Sequence, residues 1–304
     1  MLSLVSYFGA DFSLNIVSDL RDMWQYAFMQ HAFEAGTIVA VIAGLIGYFV
    51  VLRRASFAAH ALSHVGFAGA AGAVLLGLNP LAGLLAFTMG GGLAMAGLGR
   101  RAAARDTQIG TVLAFMLGLG VLFISLYKGY ATQAYSLLFG QILGINSADV
   151  LVTLIVGIVI LLAMAVLYRP LLFASLDEEV AEAKGVPVRT LGVVFLLLVA
   201  VATSIAVQVV GVLLIFALMV TPSAAAERLA RRPAQGIAIA VGVALVTTWF
   251  GLFIAYYVPY PVSFFITSAS FVIYLFARAA GFTRGALRRQ TDRSQASPSH
   301  EQEG

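Results

Sequence analysis

The sequence predicts an all-α polytopic membrane protein of eight or nine transmembrane helices. Composition is the first reason: of 304 residues, 61% are hydrophobic and 11% charged, with a mean hydropathy of +0.96. A soluble domain carries about 25% charged residues. The second is that apolar runs of the length a bilayer demands, about 17–25 residues, recur along nearly the whole chain. The third is that the basic residues gather between those runs.

The runs fall at 28–52, 60–78, 81–98, 109–127, 149–168, 190–207, 209–227, 236–257 and 262–280. Between them lie Arg53 and Arg54; Arg100, Arg101 and Arg105; Arg169; Lys184 and Arg189; and Arg228, Arg231 and Arg232. Arg278, at the end of the last run, is followed by Arg284, Arg288, Arg289 and Arg293. Placing every group on the cytoplasmic side puts 16 of the 18 Lys and Arg inside and leaves only Arg21 and Lys128 outside. The positive-inside rule then gives an external N-terminal segment (1–27), nine spans and a cytoplasmic C-terminus. The net charge of +4 is therefore a topology signal, and the expected surroundings are a lipid bilayer, with no nucleic acid as partner. The count turns on 207–209, where "AVQVVGVLLIFALMVTPSAAAERL" allows a tight hairpin or one broken helix. Pro222 in that stretch removes a backbone donor and favours a kink.

The segments outside the spans read in turn. Residues 1–27 hold Asp11, Asp19, Arg21 and Asp22 and lack the pattern of a cleavable signal peptide. With no cysteine, disulfide and thiolate chemistry are excluded. Residues 129–148 form the long external loop, and "YSLLFGQIL" within it is too apolar for a plain loop and too short to span. A re-entrant or interfacial helix is expected there. Residues 175–189 predict a short acidic cytoplasmic helix bearing Asp177, Glu178, Glu179 and Glu182, with Gly185 as its C-cap and Pro187 just beyond. Acids near its start complement the helix dipole. Asp106 and Asp149 read as caps of the fourth and fifth spans. The tail, 286–304, is polar, contains His300 and is expected to be disordered.

One stretch carries chemistry: "ASFAAHALSHVGFAGA", residues 55–70. His60 and His64 stand one helical turn apart, on one face, where two imidazoles can share a metal ion. The spacing resembles a zinc-protease signature, but that signature needs a glutamate between the histidines as general base. Ala61 follows His60 here, and no acid lies between the pair. Counting about 1.5 Å per residue from Arg54 puts His60 in the inner third of the membrane and His64 near its middle. Ionisable groups at that depth mark ion pathways or proton relays; the plainer alternative is a neutral histidine bonded to a carbonyl. The alanines and glycines around them allow close helix approach. Glu34, with His31 one turn above it near the outer end of the first run, reads as an outer waiting site or as an interfacial ion pair.

These stretches together resemble the ABC-3 family, the membrane permeases of ABC importers for zinc, manganese and iron. The resemblance runs from about residue 27 to 280. It rests on "FVVLRRASFAAHALSHVGFAG", "RDTQIGT" (105–111), "LLFGQIL" (137–143), "SLDEEVAEAKGVPVRTLG" (175–192) and "VVGVLLIFALMVTPSAAAERL" (209–229). It implies a permease fold like that of type II ABC importers, a homodimer, a separate ATP-binding subunit and an external metal-binding lipoprotein. It implies no cofactor bound by this chain, a transported zinc or manganese ion, and a place in the cytoplasmic membrane. Carried over by motif, His64 matches the family histidine, whereas His60 stands where the family has aspartate. Imidazole suits zinc and carboxylate suits harder ions such as manganese, so the exchange tilts the expectation toward zinc. By the same resemblance Asp177, Glu178, Glu179, Ala181 and Gly185 belong to the helix that couples to the ATPase.

The chain has no phosphate-binding Gly-x-x-x-x-Gly-Lys loop, and its lysines are Lys128 and Lys184 alone. An enzyme is not expected, and ATP hydrolysis falls to a partner. Two competing classes remain: an ion-coupled secondary transporter relaying protons through His60, His64 and Glu34, and an intramembrane metallohydrolase. The missing glutamate argues against the latter, and the acidic helix before Gly185 argues against the former.

Overall fold

A computed structural model describes residues 21–97, 102–127, 138–258 and 260–295. The long helices are α1 (Ala27–Leu52), α2 (Ser56–Leu75), α3 (Pro80–Gly97), α4 (Ala102–Leu126) and α5 (Ser147–Leu176). A six-residue α6 (Glu178–Ala183) follows, and then α7 (Val188–Val210), α8 (Val212–Leu229), α9 (Pro233–Tyr257) and α10 (Val262–Gln295). A 3₁₀ turn, Ile142–Gly144, precedes α5. Among the described residues there is no strand, and nine helices are long and apolar enough to cross a membrane.

The choice between eight and nine spans is settled at Gly211. Here α7 stops and α8 starts, and Gly211 takes φ +84°, a conformation open to glycine and poorly tolerated by other residues. A second glycine of this kind, Gly140 (φ +80°), is pressed against it: a Cβ on Gly140 would collide with the backbone of Val210 and Gly211, and one on Gly211 with Leu138, Phe139 and Gly140. Leu138, Phe139 and Gly140 are thus seated against the break between α7 and α8. Ile142 beside it reaches Gly36 of α1, where an added Cβ would lie 3.4 Å from the Ile142 Cδ1. Of the expected re-entrant helix, Leu138 and Phe139 are helical, and 129–137 lie outside the described residues.

Other boundaries move too. Span α5 runs through Pro170 to Leu176, well past the apolar run that ends at 168. The expected 175–189 helix shrinks to Glu178–Ala183, its flanks belonging to α5 and α7. Helix α10 continues to Gln295, beyond 286 where disorder is expected; Arg288, Arg289, Gln290 and Arg293 are all good helix formers. Residues 1–20 and 296–304, with His300, lie outside the described residues.

The bundle is held by small residues at its crossings, as expected where lipid supplies no hydrophobic drive between helices. Central α1 packs on α9, α8, α5 and α7. Gly44 leaves room for the α9 backbone at Val241, where a Cβ would come within 2.6 Å, and Gly47 lies against the Met219 carbonyl of α8. Helix α2 packs most extensively on α3 and α4, with Gly69 and Gly83 in mutual backbone contact. A buried hydroxyl pair, Thr88 and Ser204 at 2.7 Å, ties α3 to α7.

Candidate functional site

From Ala58 to Ala73, every residue of α2 is buried except His60 and His64, which are half-buried. The helix therefore shows one open strip, and the histidines form it. Their rings stand 4.7 Å apart at 83°. Phe216 of α8 meets the His60 ring at 4.5 Å and 60°. In both histidines Nδ1 is buried and has no hydrogen-bond partner among the described residues. The neighbouring Ser63 hydroxyl is already used, donating to the His60 carbonyl at 2.8 Å. The protein thus leaves two imidazole nitrogens unsatisfied inside the bundle, contrary to the usual pairing of buried polar atoms.

His31 and Glu34 do not join this pair in a group of three among the described residues. They lie in the first turns of α1, and the 19 residues from Glu34 to Arg53, where the chain leaves α1 for α2, span about 28 Å of helix. Glu34 is exposed and His31 half-buried. Around them sits an aromatic collar: Trp24 against Phe33 at 6.1 Å, Phe33 against Trp249 at 6.4 Å, and the Trp249 indole donating to Thr37 Oγ1 at 2.9 Å. Among the described residues no three His, Asp or Glu side chains converge on one cation position.

Two of the expected caps are not caps. Helix α4 begins at Ala102, so Asp106 lies inside its first turns. At α5 the cap is Asn146, whose side chain accepts from the Asp149 amide at 2.9 Å. That leaves the Asp149 carboxylate free to accept from Gln208 Nε2 of α7 at 3.2 Å.

The short acidic helix α6 is fixed at both ends and along one side. Asp177 caps α6, its Oδ1 accepting from the Val180 amide at 3.0 Å. Gly185, at φ +82°, ends the helix: Val186 N–H donates to the Ala181 carbonyl and Gly185 N–H to Glu182, each at 3.0 Å. Ala181 is fully buried against Ala174 and Val188, which glues α6 to the ends of α5 and α7, while Glu178 and Glu179 stay exposed. Directly behind, the Arg53 guanidinium at the end of α1 donates to Ser175 Oγ at 3.3 Å and lies 5.6 Å from the Phe195 ring centre. Sequence reading gave Arg53 only a topological role and missed Phe216 altogether. No local pattern marks Phe216, because the ring it meets, that of His60, stands more than 150 residues earlier in the chain.

An all-α bundle with nine helices long and apolar enough to cross a membrane, among the described residues, defines a multi-pass membrane protein. The chain belongs to the ABC 3 transport family, whose family model matches residues 25–281. It is 32% identical over 238 residues to the manganese transport system membrane protein MntC of Listeria innocua, covering 78% of this chain and 85% of that one. Against the manganese import system permease protein ScaB of Streptococcus parasanguinis it is 30% identical over 261 residues, 86% of this chain and 93% of the relative. Its fold matches a solved chain of PsaBC from Streptococcus pneumoniae in complex with Fab with a TM-score of 0.78 and 29% identity, covering 86% and 95% of the two chains. The protein is a multi-pass ABC permease of the plasma membrane.

Proposed function

We propose that this chain is the membrane-spanning subunit of an ATP-driven importer of divalent transition-metal ions. Two copies pair, an external metal-binding lipoprotein delivers the ion, and ATP-binding subunits dock against α6. The observation that carries this reading is the pair of unsatisfied Nδ1 atoms on the open strip of α2. Neutral imidazole is a good ligand for such ions, and buried polar atoms without a protein partner are costly unless something fills them. Two nitrogens hold an ion weakly. A second copy would bring the set to four, and a site completed only in part of the cycle passes its ion on instead of trapping it. His31 and Glu34 serve as an outer waiting site in this scheme.

The names of the relatives favour manganese. His60, standing where the resemblance calls for aspartate, favours zinc, and we hold zinc as the ion to test beside manganese. In vesicles containing the permease and its ATPase, His64→Ala should cut uptake about tenfold or more while folded yield is kept. His60→Asp should keep transport and move preference toward manganese. Full uptake after both histidines become alanine would sink the metal path. Uptake that needs a proton gradient and ignores ATP would favour the ion-coupled alternative. For α6, reversing the charges of Glu178 and Glu179, or replacing Gly185 with a bulky residue, should uncouple ATP hydrolysis from transport.

A further inference from the structure

We propose that Phe216 is a positioning residue for His60, fixing the plane of that imidazole for the passing ion; this rests on the metal-path reading above. The contact is direct, ring to ring, at 4.5 Å. His60 meets two rings, Phe216 at 4.5 Å and His64 at 4.7 Å, whereas among the described residues His64 has only His60 as a ring neighbour. The terminal torsion of a histidine is broad when nothing holds it. Metal-binding histidines are usually held by a hydrogen bond from the second ring nitrogen to a carboxylate or carbonyl. His60 has no such bond at Nδ1. Ring packing is therefore what orients it, and a hydrocarbon ring does so without offering a rival ligand or proton.

Phe216 is itself well placed to act as a fixed wall. It lies in the second turn of α8, five residues past Gly211, whose backbone is locked against Gly140. One turn later Met219 is held against Gly47 of α1. The ring is thus carried by a helix anchored on both sides of it, and a displacement of α8 would move Phe216 relative to His60 on α2.

The test is a double-mutant cycle on the reconstituted complex, reading KM and kcat for zinc and for manganese. Phe216→Ala should raise KM about two- to tenfold, the range expected for one aromatic contact, with kcat changed less. Phe216→Leu, which keeps most of the volume without the flat ring, should fall between and carries the test if the alanine variant does not fold. In the His60→Asp background, where there is no imidazole to orient, neither change should move KM. An equal rise in that background would overturn the proposal, since Phe216 would then act through packing alone, and so would an unchanged KM in the His60 protein. Unaltered uptake of both metals in His60→Asp together with His64→Ala is a different result: it sinks the metal-path reading itself and the role of Phe216 with it.

Discussion

Spans α2 and α5 have opposite surroundings. Helix α5 carries large aliphatic side chains outward, with Leu151, Ile155, Val159, Leu162 and Val166 all more than half exposed. Its buried residues form one stripe, Thr153, Gly157, Ile160 and Met164, which faces α1 through Gly157 and Ile38. Helix α2 is rich in alanine, glycine and serine, holds both candidate histidines, and is enclosed almost all round. The more apolar helix is the more exposed one. In water the reverse would hold, but lipid solvates leucine as well as a protein core does. Within the membrane, small side chains and costly polar ones mark the interior, and bulk marks the lipid face.

The largest test of that contrast is Gly69→Leu. A side chain there meets the Gly83 carbonyl and the Phe87 ring, so α2 and α3 cannot close, and we expect more than about 4 kcal/mol of destabilisation, read as loss of monodisperse protein in detergent. A matched pair sharpens the comparison. Ala70→Leu, at a fully buried position of α2, should cost about 1–3 kcal/mol by overpacking in equilibrium unfolding from mixed micelles. Smaller again is the Thr88–Ser204 bond, where a Thr88→Val, Ser204→Ala cycle should give a coupling of about 1 kcal/mol. Last comes Ala165→Leu, the same exchange as at Ala70 but on the exposed face of α5, which should stay within about 0.5 kcal/mol. A loss as large as that of Ala70→Leu would mean the outer face of α5 is covered, and the comparison would fall.

The helical class, the nine spans and the Gly185 stop were legible because each rests on a local rule: length of apolar run, placement of arginine, conformational freedom of glycine. Where the sequence misled, a neighbour decided. Asp149 looked like a cap until Asn146, three residues earlier, took that role and left the carboxylate to Gln208. The fifth apolar run ends at 168, just before Arg169 and Pro170, yet the helix continues to Leu176, where α6 docks by Ala181. His60 and His64 were visible as a pair from their spacing alone. That Phe216, more than 150 residues away, meets the His60 ring is a fact of helix packing that no local pattern encodes. Nor could spacing reveal that Arg53 bridges toward Ser175 and Phe195.

The mutual backbone contact of Gly140 and Gly211 has a consequence for protein engineering. Surface loops of a transporter are commonly exchanged between homologues as free-standing modules, on the premise that the scaffold beneath is indifferent to them. Here the loop and the scaffold share one interlock, each glycine occupying space that the other must leave empty. A chimera that imports a foreign loop without a glycine in register with 140 brings a Cβ into the Val210–Gly211 backbone. The two positions must be transplanted together.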